Sequence, residues 1–328
     1  MEIMEKVKQQ GLVLDGGMGS MLIARGLKGG ECAEKWNIDH PDIIQAIHRA
    51  YFDAGADVAT ANTFGASSLK LEKMGIQASV ETLITAAVNH AKAAAGPGHY
   101  VAGDLGHLGE MLSPMGSLTV ERAKDIYVDQ AGIIAAAGID LFLIETVFDL
   151  NEAIVALEAV QTVSSKPVFC SLTFNQTKNG FFTIMGNPVE ASMHQLRDAG
   201  AAAVGANCSL GSDSMIGLAR QIRECVDIPV IIQPNAGMPQ TGPDGIVFYP
   251  EDEVTFARNI KKIKDLGIDI VGAAAVRHRH LSTKSGRPSE PACYNLIIGV
   301  PPIRLAGCCF NVKEKEAEML YSYYSASV

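Results

Sequence analysis

Eight short runs of apolar, largely β-branched residues recur along this chain, and a helical pattern follows each one up to the last. They fall at 12–15, 58–62, 100–104, 141–145, 168–173, 203–207, 230–233 and 268–271. Within each run hydrophobicity is near-continuous rather than alternating. A strand buried on one face alternates; a strand buried on both faces reads as an unbroken apolar run. The runs therefore predict a parallel sheet covered by helices. Between them, Pro41 suits a first helical position, and Ile43, Ile44, Ile47 and Tyr51 mark one helical face at spacings of three and four.

Four helices are predicted to end alike. Ala54-Gly55-Ala56-Asp57, Ala137-Gly138-Ile139-Asp140, Ala199-Gly200-Ala201 and Leu266-Gly267-Ile268-Asp269 each place a glycine where a left-handed C-terminal cap is needed, with a strand next. Eight strands joined by helices, without a linker before residue 272, predict a (β/α)8 TIM barrel over 1–272. An open doubly wound sheet is the competing architecture.

Composition narrows the function. The chain has 328 residues, of which 48% are hydrophobic, which suffices for a large core and excludes disorder. A net charge of −9 argues against nucleic-acid binding, which needs a basic face. No apolar stretch is long enough to span a membrane. The charged first ten residues are not a secretory signal, so a cytoplasmic location is expected. Seven scattered cysteines do not suggest a disulfide framework.

In a barrel, chemistry sits at the C-terminal ends of the strands, and here those ends are polar. Strand 1 runs into Asp15-Gly16-Gly17-Met18-Gly19-Ser20, strand 2 into Asn62-Thr63-Phe64-Gly65 and strand 3 into Asp104. Strand 4 runs into Glu145-Thr146, strand 6 into Asn207-Cys208-Ser209 and strand 7 into Gln233-Pro234-Asn235. Singly, each has an ordinary reading. Asp15 before two glycines suits a turn, and the glycine run lacks the Lys-Ser/Thr of a phosphate loop. Cys208 suits a buried core thiol. Glu145 after Leu-Phe-Leu-Ile needs a partner for its buried charge, and a bound ammonium would be one. Six polar ends on one rim call for a ligand.

Leu-Asp-Gly-Gly-Met-Gly-Ser at 14–20, Ala-Asn-Thr-Phe-Gly-Ala at 61–66, Ile-Glu-Thr at 144–146 and Gly-Ala-Asn-Cys-Ser at 205–209 resemble the homocysteine S-methyltransferase family. The segment 25–37 is most similar to the cobalamin-dependent methionine synthase branch. The resemblance runs from about residue 8 to 272 and implies a (β/α)8 barrel that methylates homocysteine to methionine. It implies Zn2+ held by Cys208 and by an adjacent cysteine pair after strand 8. It implies that Asp15 and Glu145 hold the substrate amino group. Gly16, Gly17 and Thr63 would line the carboxylate side, with Asn62 and Thr146 in the same motifs, and Asn207 would stand beside the metal ligand. The implied methyl donor is methylcobalamin on a separate corrinoid protein, or a sulfonium such as S-methylmethionine.

The chain departs from the family after Gly272. The expected Gly-Cys-Cys-Gly-Thr-Pro is replaced by Ala273-Ala274-Ala275-Val276-Arg277-His278. Residues 273–328 form an atypical tail of net charge +3 in an acidic protein. A spelling of this junction, GCT GCT GCG GTA CGC CAC, reads Gly-Cys-Cys-Gly-Thr-Pro once a G is restored in front. One lost base would thus create the tail. Alternatively, Gly307-Cys308-Cys309 supplies the metal-binding pair through a displaced eighth strand, with 313–323 as a final helix. Cys32, Cys170, Cys225 and Cys293 have no partner at metal spacing, and His107 reads as a solvated loop residue. The competing functions are a catalytically impaired homocysteine-binding or docking barrel, and a barrel using Asp15, Asp104 and Glu145 for acid–base work on another metabolite.

Overall fold

The computed structural model describes residues 1–237, 240–241, 247–248 and 251–274. All eight predicted strands form: β1 (Leu12–Val13), β2 (Val58–Thr60), β3 (Tyr100–Leu105), β4 (Leu141–Val147), β5 (Val168–Leu172), β6 (Ala203–Gly211), β7 (Val230–Asn235) and β8 (Ile270–Val271). Each pairs in parallel with its neighbour in chain order, and β8 returns to β1 through Leu12 opposite Ile270 and Val13 opposite Val271. The bridge between Leu14 and Val58 joins β1 to β2 and closes the ring. The fold is a (β/α)8 barrel, and the open-sheet alternative is set aside.

Among the described residues, seven helices of ten residues or more surround the ring: α1 (Pro41–Asp53), α2 (Val80–Ala94), α3 (Val120–Ala137), α4 (Leu150–Val163), α5 (Val189–Asp198), α6 (Ser212–Cys225) and α7 (Glu253–Asp265). Strands buried between helices and barrel interior have no solvated face, which is why the sequence shows runs rather than alternation. Side chains still alternate in direction. Leu12, Leu14, Val58, Ala102, Leu141, Leu143, Phe169, Ala203, Ile231 and Ile270 form the interior cluster, while the outward residues join the helices in a larger core.

The N-terminal helix Ile3–Gln10 places Ile3 and Val7 in that interior cluster. It therefore caps the barrel at the N-terminal ends of the strands. Lys6 binds Asp57 below β2, and Tyr100 donates to the Met1 carbonyl at 2.8 Å.

The repeated helix-to-strand loop has a mechanical role. Gly55, Gly138, Gly200 and Gly267 all have φ between 81° and 97°, the left-handed cap the sequence called for. In three of the four, an aspartate two residues on reaches to the preceding strand. Asp57 accepts from Val13 N at 2.8 Å, Asp140 from Val101 N at 2.8 Å, and Asp269 from Val230 N at 2.9 Å. Each thereby satisfies a backbone donor at the start of a buried strand, which would otherwise be an orphan.

Candidate active site at the barrel mouth

The alternation that fills the barrel with Leu and Ile becomes polar at its upper end. Two residues beyond the interior Ala102 lies Asp104; two beyond Leu143 lies Glu145. By the same step β5 presents Ser171, β6 Asn207 and β7 Gln233. Asp15 ends β1, where Thr60 donates to it twice, from the backbone N–H and the hydroxyl, both at 2.7 Å.

Asp15 and Asp104 are buried, and Glu145 beside them is half-buried. Burial pushes Asp15 up to about 8, against the opposing pull of the Thr60 bonds. Burial raises Glu145 to about 7, opposed by a hydrogen bond from Gln233. Asp104 is held well above the carboxylate range by burial and by the nearby Glu145 and Asp15 charges. Three acids thus meet in a dry mouth, where an ionised form needs a positive partner.

Opposite them, Asn207 organises the ends of β4, β5 and β6. Its Oδ1 accepts from Thr146 N and from the Ser171 hydroxyl, both at 2.9 Å, and its Nδ2 donates to Thr146 Oγ1 at 2.8 Å. Cys208 Sγ lies 3.5 Å from Thr146 Oγ1 and 3.5 Å from Asn207 Nδ2. Thr146, Cys208 and Ser209 have φ of 55°, 59° and 60°. For a β-branched threonine this conformation is strained, by about 1–3 kcal/mol. The β4–β5 and β6–β7 ladders shift register at these same points. The kinks turn the thiol into the mouth, and burial with the Glu145 charge raises it to about 12.

The remaining expected residues split into two groups. Gly16 and Gly17 stand at the rim, where neighbours pass too close for a side chain: a Cβ on Gly16 would lie 2.8 Å from the Tyr51 hydroxyl, and one on Gly17 2.0 Å from the Ala274 carbonyl oxygen. Asn62 and Thr63 also brace the rim. Asn62 Nδ2 donates to the Ala33 carbonyl and to Asn37 Oδ1, both at 2.9 Å. The Thr63 hydroxyl donates to the Asp104 carbonyl at 2.8 Å and accepts from Asp104 N at 3.0 Å.

Further ionisable groups lie around the mouth, with Glu34, His107 and Glu152 buried and Lys70 half-buried. Glu34 accepts from Gly65 N at 2.7 Å, and Glu152 from Leu108 N and the Tyr127 hydroxyl. Lys70 lies over the Phe64 ring. His107 is buried between Phe64 and Phe148 rather than solvated, and burial lowers it to about 3. Their helical or loop spacing carries no sign of burial, so only the tertiary structure reveals them.

Among the described residues no three His, Cys, Asp or Glu side chains cluster to hold a metal. Cys32 and Cys170 are buried elsewhere, and Cys225 lies on α6. Cys308, Cys309, Cys293 and the 313–323 segment fall outside the described residues. No described helix is long and apolar enough to cross a membrane.

Fold and mouth together define a (β/α)8-barrel protein of the enzyme type, with thiol and carboxylates gathered at the C-terminal ends of its strands. The chain belongs to the homocysteine S-methyltransferase family, which matches residues 12–276. It is similar to the methionine synthases of Mycobacterium leprae (29% identity over 290 residues) and Mycobacterium tuberculosis (30% over 292). Each match covers 83% of this chain and 24% of the relative, so the chain spans about a quarter of those proteins. The metallated crystal structure of the Escherichia coli homocysteine methyltransferase MmuM shares the fold, with a TM-score of 0.71, 20% identity, and coverage of 89% of this chain and 96% of that one.

Proposed function

We propose that this chain is a homocysteine S-methyltransferase that makes methionine in the cytoplasm. The observation that carries the reading is the placing of the Cys208 thiol, the buried Asp15 and the half-buried Glu145 on one barrel mouth. An amino-acid thiol supplies what each part needs. Its ammonium meets the acids, its carboxylate meets the backbone at Gly16, Gly17 and Thr63, and its sulfur turns toward Cys208. Thr146 and Asn207 hold Cys208 in position and Asn62 holds the Thr63 loop, so the barrel contributes orientation and exclusion of water.

Family members use zinc here; when bound, it would supply the deprotonated substrate thiol. A catalytic zinc takes three protein ligands, and the described residues offer Cys208 alone. The metal reading therefore depends on Cys308 and Cys309. The methyl donor would be methylcobalamin carried by a separate corrinoid protein, or S-methylmethionine. Assay of methionine formation from each donor separately tests the reading; no methionine from either, with homocysteine bound, would reject it.

A second reading has a specific basis. Ala273 and Ala274 follow β8 where the family carries its cysteine pair. A barrel so altered would bind homocysteine, or dock a partner, without turnover. Zinc per chain on protein prepared without chelator or affinity tag separates the two. About one zinc supports the enzyme; none supports the binding barrel.

A further inference from the structure

The three acids of the mouth are not equally occupied. Asp15 takes two hydrogen bonds from Thr60, and Glu145 takes one from Gln233. Asp104 is 5% exposed, and its Oδ1 has no hydrogen-bond partner among the described residues. Its backbone is pinned on both sides by the Thr63 hydroxyl, so the carboxylate is fixed but unanswered. Lys70, the cation that acts on it, sits over the Phe64 ring instead of forming an ion pair with it.

The same deficiency recurs on β7. Gln233 Oε1 and Asn235 Oδ1 are buried and have no hydrogen-bond partner among the described residues, at 4% and 9% exposure. All three orphan atoms are oxygens, assigning the Gln and Asn amides as they stand. Burying an unpaired acceptor costs free energy, and an unpaired carboxylate costs most. A mouth with surplus acceptors fits a ligand rich in donors and positively charged.

We propose that Asp104 is a principal acceptor for the substrate ammonium and sets the requirement for an α-amino group. This rests on the homocysteine reading above, and reassigns the main contact from Asp15, whose oxygens Thr60 already engages. Asp15 and Glu145 then supply supporting charge around the amino group. Asp104 is a specificity-determining residue that touches substrate.

The test compares L-homocysteine with 4-mercaptobutanoate, which lacks only the amino group, by calorimetry on the full chain under reductant. Asp104→Asn is expected to weaken L-homocysteine about 10- to 100-fold and leave 4-mercaptobutanoate within twofold. Ligand-free Asp104→Asn is also expected to melt at higher temperature than the parent, because it removes an unpaired buried acid. A merely structural aspartate would give the opposite shift. Asp104→Ser provides a second variant if Asp104→Asn folds poorly. An unchanged preference for the amino compound in a folded variant overturns the assignment of Asp104 alone. A parent chain that binds neither compound overturns the homocysteine reading and this proposal with it.

Discussion

Asn207 carries more of the mouth than any other single side chain. It is fully buried and ties Thr146, Ser171 and Cys208 together. Asn207→Leu would leave Thr146 N and the Ser171 hydroxyl without their acceptor, and each orphan costs about 1–3 kcal/mol. Denaturant unfolding should show a midpoint lowered accordingly, with an unchanged slope. The buried acids make a separate prediction about pH. Folding raises Asp15 from 3.8 to about 8 and Glu145 from 4.5 to about 7. Between about pH 4 and 8 the folded state thus holds protons that the unfolded chain has released, so this contribution to stability falls as pH rises. Melting temperatures of the ligand-free protein should show a decline over that range, and Asp15→Asn should flatten it. At residue scale the sequence was partly legible. Asp15, Glu145, Asn207 and Cys208 were readable because polar residues interrupt apolar runs at strand ends. The bracing roles of Asn62 and Thr63 were not, since nothing local distinguishes a side chain aimed at a ligand from one aimed at Asn37 or at the backbone of Asp104. Nor does spacing reveal the left-handed φ of Thr146 and Cys208.

Elements were the most legible level. Burial on both faces wrote each strand as an apolar run, and the cap glycines wrote the helix ends. Boundaries shifted where tertiary pairing decided them: β1 stops at Val13 and β8 begins at Ile270, while β6 continues through its kink to Gly211. The aspartate after three of the four caps is the less obvious part of the repeat. It belongs to the turn by position, yet its bond is to the neighbouring strand. Asp140→Ala should therefore act on β3, leaving Val101 N unpaired in a buried setting, at about 1–3 kcal/mol. Hydrogen exchange should locate the loss of protection at Val101, in β3, with the α3 cap at Gly138 intact. Loss confined to α3 would contradict the assignment.

For the whole molecule, the barrel was legible and its completion was not. Residues 275–328, nearly all of the tail expected at 273–328, lie outside those described. The coding DNA decides whether the tail arose by one lost base. The spelling across residues 272–278 should contain Gly-Cys-Cys-Gly-Thr-Pro in the adjacent frame; third codon positions that exclude TGC TGC would end the idea. Restoring that base should yield a chain that holds zinc. A last consequence comes from the helix Ile3–Gln10, which seals the lower end with Ile3 and Val7. The barrel is a cul-de-sac. Whatever enters first can leave only after whatever enters second, if the second reactant is bulky enough to cover the opening. An active chain using a protein-borne methyl donor should therefore show a compulsory order, amino acid before donor. Product-inhibition patterns would reveal it as methionine competing with homocysteine but not with the donor.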